Sequence, residues 1–179
     1  MHPTDRLLAG SLIAAPLTYL AADLLYALRG WDDPAAGVLH VLGATGYILV
    51  VLFAVERERG RFAVALLVVG VLGAAGNIGY GFNTLHVALG DTDLNDASGA
   101  ATLIKVLGFC FPLTLLLIAV SLRRERTGPP WVAATLAVAA IGWPVAHIAN
   151  IGWLAVVVNL LLVASFATVR PVRTPAPVS

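Results

Sequence analysis

Between Arg126 and Arg170 the chain reads TGPPWVAATLAVAAIGWPVAHIANIGWLAVVVNLLLVASFATV (Thr127–Val169), with no Asp, Glu, Lys or Arg. A helix needs about 20 apolar residues to cross a hydrocarbon core of about 30 Å. The run is therefore too long for one crossing and fits two, Trp131–Ala146 and Ile151–Val169, joined by a hairpin near His147–Gly152. The Arg clusters at its two ends make the same demand. Basic clusters next to membrane spans stay on the cytoplasmic side, so an even number of crossings must separate them.

Working back toward the N-terminus, four more apolar stretches are long enough to cross: Leu7–Leu28, Pro34–Val55, Phe62–Leu89 and Ser98–Leu122. The expected fold is all-α: a polytopic membrane protein whose residues 1–169 form one bundle of six transmembrane helices. Residues 170–179 (RPVRTPAPVS) read as a disordered tail, because Pro-containing polar termini rarely dock. Composition agrees, with 59% hydrophobic and 12% charged residues and a mean hydropathy of +0.89. Soluble domains carry about 25% charged residues. The first stretch is longer than the apolar region of a typical signal peptide and contains Asp23, so it is read as a retained span. Cys110 is the only cysteine, which excludes an intrachain disulfide or a Cys-based metal site.

Charge orients the bundle. Arg6, the loop Glu56–Arg61 (ERERGR), the loop Arg123–Arg126 (RRER) and the Arg170–Arg173 tail fall on one side, which the excess of positive charge makes cytoplasmic together with both termini. The opposite loops hold Arg29 against Asp32, Asp33, Asp91, Asp93 and Asp96. One lysine beside ten arginines suggests a GC-rich bacterial genome, and the expected location is the inner (plasma) membrane, crossed several times. A net charge of +1 with its basic residues spent on orientation leaves no patch for nucleic acid.

The intramembrane polar residues crowd the outer half. By helical rise, Asp23 lies about 24 Å from the cytoplasmic boundary, while His40 and Lys105 lie about 9 and 10 Å below the outer one. Residues at i, i+3, i+4 and i+7 share a face, which gives the stripes Tyr19–Asp23–Tyr26, His40–Tyr47, Asn77–Tyr80–Thr84 and Trp143–His147–Asn150. Asn83 and His86 turn away from their neighbours on the third span. Because an unpaired polar group in hydrocarbon costs several kcal/mol, these faces should meet inside the bundle. The expectation is an outward-opening chamber lined by Asp23, His40, Asn77, Tyr80, His86, Lys105 and His147, closed below by an apolar plug.

The chamber suits a small or lipid-like molecule entering from the outer leaflet, with acid–base chemistry on it. Asp23 would be the acid or relay, Lys105 its charge partner, and His147 and His40 bases or donors. Tyr19, Tyr26, Asn77, Tyr80, Asn83, Trp143 and Asn150 would complete the binding wall. The structural alternative for Asp23 and Lys105 is a neutralising ion pair, set by their matching depths. A second reading is a redox protein in which two histidines ligate one haem b, or His40, His86 and His147 hold zinc or copper with Asp23. No HExxH and no His pair at i, i+4 supports it locally. A third is a non-catalytic accessory or transport subunit in which polar groups only fix helix register. The partners implied are membrane lipids and the bound molecule, and the sequence is also compatible with a homo-oligomer.

Overall fold

The computed structural model describes residues 2–169, and among them all regular structure is helical. The elements are α1 (Pro3–Arg29), α2 (Pro34–Val55), α3 (Gly60–Ala88), a 3-10 turn (Gly99–Thr102), α4 (Leu103–Gly108), α5 (Cys110–Glu125), α6 (Pro130–Ile148) and α7 (Gly152–Phe166). Five segments are long and apolar enough to cross a membrane: α1, α2, α3, the combined stretch Gly99–Glu125, and α6. The chain is a multi-pass helical membrane bundle. At 15 residues α7 is shorter, about 22 Å at the usual rise. The tail 170–179 lies outside the described residues.

Each helix packs on its neighbours in the chain, and α7 closes back on α1, so the helices form a ring, with α2 also touching α5. Local chemistry sets the corners. Asp33 caps α2 by accepting from the Ala36 N–H at 2.8 Å, with Pro34 in the first helical position, where its missing N–H costs nothing. Asn150 turns the α6–α7 hairpin with φ of +53°, a left-handed conformation that Asn tolerates better than most residues.

The fourth expected span is not continuous. Helix α4 stops at Gly108 and α5 starts at Cys110. Pro112 has no N–H to give the Gly108 carbonyl, and its ring crowds that carbonyl, so the helix breaks one turn before the proline. Two close approaches then fit α3 against this break. A Cβ on Gly76 would lie 2.3 Å from the Gly108 nitrogen, and one on Gly73 would lie 2.7 Å from the Phe111 nitrogen.

The two ends differ chemically. Arg124 reaches Glu58 at 3.8 Å across the α2–α3 and α5–α6 loops, and the Arg57 guanidinium lies 3.4 Å over the Phe53 ring. Above this basic end the core is aliphatic and aromatic, with Leu12, Phe53, Leu66, Leu115, Ile118 and Leu162 all buried. Of its buried hydroxyls, Ser11 and Thr114 donate to carbonyls three and four residues back, whereas those of Tyr47, Ser121 and Ser165 have no hydrogen-bond partner. Buried Asp23, His40, Asn77, His147 and Asn159 all belong to the other end, where Trp31 Nε1 donates to the Asn150 carbonyl at 3.0 Å and ties the α1–α2 and α6–α7 loops together.

Candidate functional site

Five helices bring one polar side chain each to a common point: Asp23 from α1, His40 from α2, Asn77 from α3, His147 from α6 and Asn159 from α7. Asp23, His40, Asn77 and Asn159 have no exposure to solvent, and His147 has 8%. One donor atom each from Asp23, His40 and His147 lies within 4.8 Å of the others.

Hydrogen bonds fix the tautomer of each histidine. His147 Nδ1 lies 2.9 Å from the Trp143 carbonyl. A carbonyl only accepts, so Nδ1 carries the proton and Nε2 presents its lone pair. Asn77 Nδ2 donates to the Gly73 carbonyl at 2.9 Å, which turns Asn77 Oδ1 toward His40 Nε2 at 3.2 Å. His40 is therefore the donor there, and its Nδ1 is bare. Asn159 uses Nδ2 twice, toward Asp23 Oδ2 at 2.5 Å and the Ala155 carbonyl at 3.3 Å.

After this, Asp23 Oδ1, His40 Nδ1 and His147 Nε2 are all buried without a hydrogen-bond partner. His147 Nε2 comes within 3.4 Å of Asp23 Oδ1 yet makes no hydrogen bond to it. Each of the three residues thus keeps one buried atom without a partner, and between Asp23 Oδ1 and His147 Nε2, 3.4 Å apart, the arrangement calls for a proton or a cation.

Aromatic rings frame the cluster. Trp143 stacks on His147 at 4.0 Å between centroids with 19° between planes. Tyr19 meets His40 edge-on at 4.6 Å, and Tyr80 lies 5.1 Å from His40. Tyr26 stacks on Trp31 at 4.9 Å while its hydroxyl lies 3.2 Å from that of Thr84.

Outside this frame is a cavity of about 550 Å³. Trp31, Tyr80, Trp143 and His147 form part of its wall, Phe109 and Ile104 another part, and Asp32, Asp93 and Asp96 from the α1–α2 loop and the segment after α3 its polar side. The chamber differs from the expected one: Tyr80, Lys105 and His147 line it, whereas Asp23, His40 and Asn77 lie sealed behind His147 and Tyr80.

Two expected members stand elsewhere. Lys105 is exposed and makes no ion pair among the described residues; Asp23 is held by Asn159 and His147 instead. Equal depth had suggested the Asp23–Lys105 pair, but α4 packs on α3 and α5 while α1 packs on α2 and α7, so the two residues belong to different parts of the ring. His86 is partly exposed and lies 3.3 Å from Asp91, outside the cluster. It follows Asn77 by a number of residues that turns the helix about half a revolution. Of the four ligands expected from the sequence, Asp23, His40 and His147 come together and His86 does not.

Asn83 holds the segment after α3, donating to Asp93 Oδ1 and accepting from the Leu94 N–H, both at 2.8 Å. Asn150 lines the cavity from the hairpin. Sequence reasoning missed Asn159 as a site residue, although it was the one amide in the outer half of the last span. A haem between His40 and His147 does not fit, since His40 is fully buried and does not line the cavity. Comparison with protein-family models, curated proteins and solved structures finds no match to this chain.

Proposed function

We propose that this protein crosses the bacterial plasma membrane six times, with both termini in the cytoplasm, and that its outer cavity binds a small amphiphile with a cationic head. The observation that carries the reading is the cavity of about 550 Å³, within the range of about 300–1,000 Å³ typical of small-molecule sites, with His147 in its wall. Three aspartates against the single Lys105 favour a positive head. Trp31, Tyr80 and Trp143 offer ring faces of the kind that attract quaternary ammonium groups, and Phe109, Ile104 and Ile148 suit an alkyl chain. His147, backed by Asp23, is the group placed to exchange a proton with the bound molecule.

Gly108 gives a clean test. It lines the cavity, and a Cβ there meets no atom within 4 Å, so Gly108→Leu fills space without displacing a neighbour. In nanodiscs, titration with a long-chain alkyltrimethylammonium, followed by tryptophan fluorescence, should saturate in the wild type. Gly108→Leu should weaken it at least about tenfold, the effect of losing roughly 1.4 kcal/mol. Equal binding of an alkyl sulfate, or no change in the variant, refutes the reading.

Orientation is tested separately. In a Cys110→Ser background, Ser98→Cys should react with a membrane-impermeant maleimide on intact cells, and Glu125→Cys only after permeabilisation. The reverse pattern inverts the proposed topology.

A further inference from the structure

We propose that Asp23, His40 and His147 bind one divalent transition-metal ion of the zinc or iron(II) class, in the closed space between α1, α2 and α6. The inference stands apart from the cavity ligand, because it rests on the sealed cluster and not on the outer wall.

Its warrant is the set of three free atoms. Asp23 Oδ1, His40 Nδ1 and His147 Nε2 are the buried polar atoms of these residues left without partners, while the other nitrogen or oxygen of each side chain is occupied. Metal-ligating histidines are held in this way: the far ring N–H goes to a carbonyl or similar acceptor, and the near nitrogen keeps its lone pair for the ion. Here the Trp143 carbonyl and Asn77 Oδ1 are those acceptors, and Asn159 holds the second carboxylate oxygen.

The competing explanation is a single proton shared by Asp23 and His147. It leaves His40 Nδ1 bare, and it leaves a pair separated by 3.4 Å, longer than the roughly 2.7–2.9 Å of a charge-assisted N–H···O bond. A cation satisfies all three atoms together. Two ligands on a tetrahedral ion with bonds of about 2.0–2.1 Å stand about 3.4 Å apart, matching the His147–Asp23 separation of 3.4 Å, and His40 offers a ring nitrogen within 4.8 Å of the other two donors.

Imidazole and carboxylate together select zinc, iron or a neighbour over magnesium and calcium, which prefer oxygen alone. Three protein ligands leave a coordination position for water or another small ligand, as in catalytic sites. His147 also borders the cavity, which provides a route for the ion from outside.

The test uses untagged full-length protein in nanodiscs, stripped with a chelator and dialysed against zinc or cobalt(II), with metal read by elemental analysis and cobalt by its visible absorption. Wild type should retain one ion per chain with a tetrahedral cobalt spectrum, and its melting temperature should rise with metal concentration. Asp23→Asn, His40→Gln and His147→Gln should each lose the spectrum. Asn159→Leu and Asn77→Leu keep all three ligands and should bind ten- to a hundredfold more weakly, the usual cost of removing an outer-shell partner. His86→Gln should bind as wild type. A monodisperse wild type that takes up neither ion assigns the cluster to a shared proton and overturns the proposal. So does metal retained equally by the three ligand variants. Because the alkylammonium titration can be run on stripped protein, failure of one proposal leaves the other measurable.

Discussion

Gly76→Ala is expected to destabilise the protein by about 3 kcal/mol or more, above the usual range for one added methyl in a packed core. The added carbon would sit 2.3 Å from the Gly108 nitrogen and 2.4 Å from the Leu107 carbonyl carbon. Both are backbone atoms, so no side-chain rotation can make room. The only relief is to push α3 away from the end of α4, which separates Gly73 from Phe111 as well and opens the ring where α4 gives way to α5. Gly79→Ala is the matched control: it lies one turn further along the same helix, and its added carbon meets only Ile104 Cγ1 at 3.6 Å, an ordinary contact. In thermal melts of detergent-solubilised protein, Gly76→Ala should fall by about 6–12 °C, at the usual 2–4 °C per kcal/mol for a chain of this size. Gly79→Ala should stay near wild type. Equal melting of the two would mean that α3 and the α4–α5 break do not meet backbone to backbone.

The same glycines show what was legible beforehand. Their three-residue spacing announces a close-packing helix, and the charge-free run Thr127–Val169 announces membrane crossings. Both rest on local composition and period, which the sequence carries directly. Pro112 within the fourth apolar stretch predicts an irregular helix, but how it fits its neighbours depends on Gly73 and Gly76, which let α3 approach the backbone on either side of Phe109.

The site was legible in depth and not in azimuth. Counting residues from a helix end places Asp23, His40, Lys105 and His147 at related heights, and it groups residues of one helix by face. It does not say which helices adjoin around the ring. Closure of α7 on α1 gives Asp23 the amide of Asn159 and removes Lys105 from consideration. The small helical offset between Asn77 and Tyr80 likewise keeps both facing His40, while His86 swings out to Asp91. Ring order is a tertiary property, and polar residues at equal depth become partners only where it makes them adjacent.

Asn159→Leu tests that adjacency with the second large effect. It keeps volume near that of the amide but strips Asp23 Oδ2 of its donor in a site closed to water. Removing one partner of a buried charge costs about 3–5 kcal/mol, so Asn159→Leu should be among the most damaging single changes in the outer half when measured on chelator-stripped protein. Asn77→Leu leaves only a neutral imidazole N–H unpaired and should cost about 1–3 kcal/mol. The sign of the coupling decides the cause. Asp23→Leu combined with Asn159→Leu removes charge and donor together, and replacing a buried polar pair by apolar groups of similar shape is often close to neutral. The double variant should therefore be more stable than Asn159→Leu alone, with a coupling energy of about 2 kcal/mol or more, toward the upper end for residues in direct contact. Additive losses would show that the amide does not support a carboxylate. A cost of only about 1 kcal/mol for Asn159→Leu, the worth of a neutral hydrogen bond, would likewise count against the amide as the support of a buried charge.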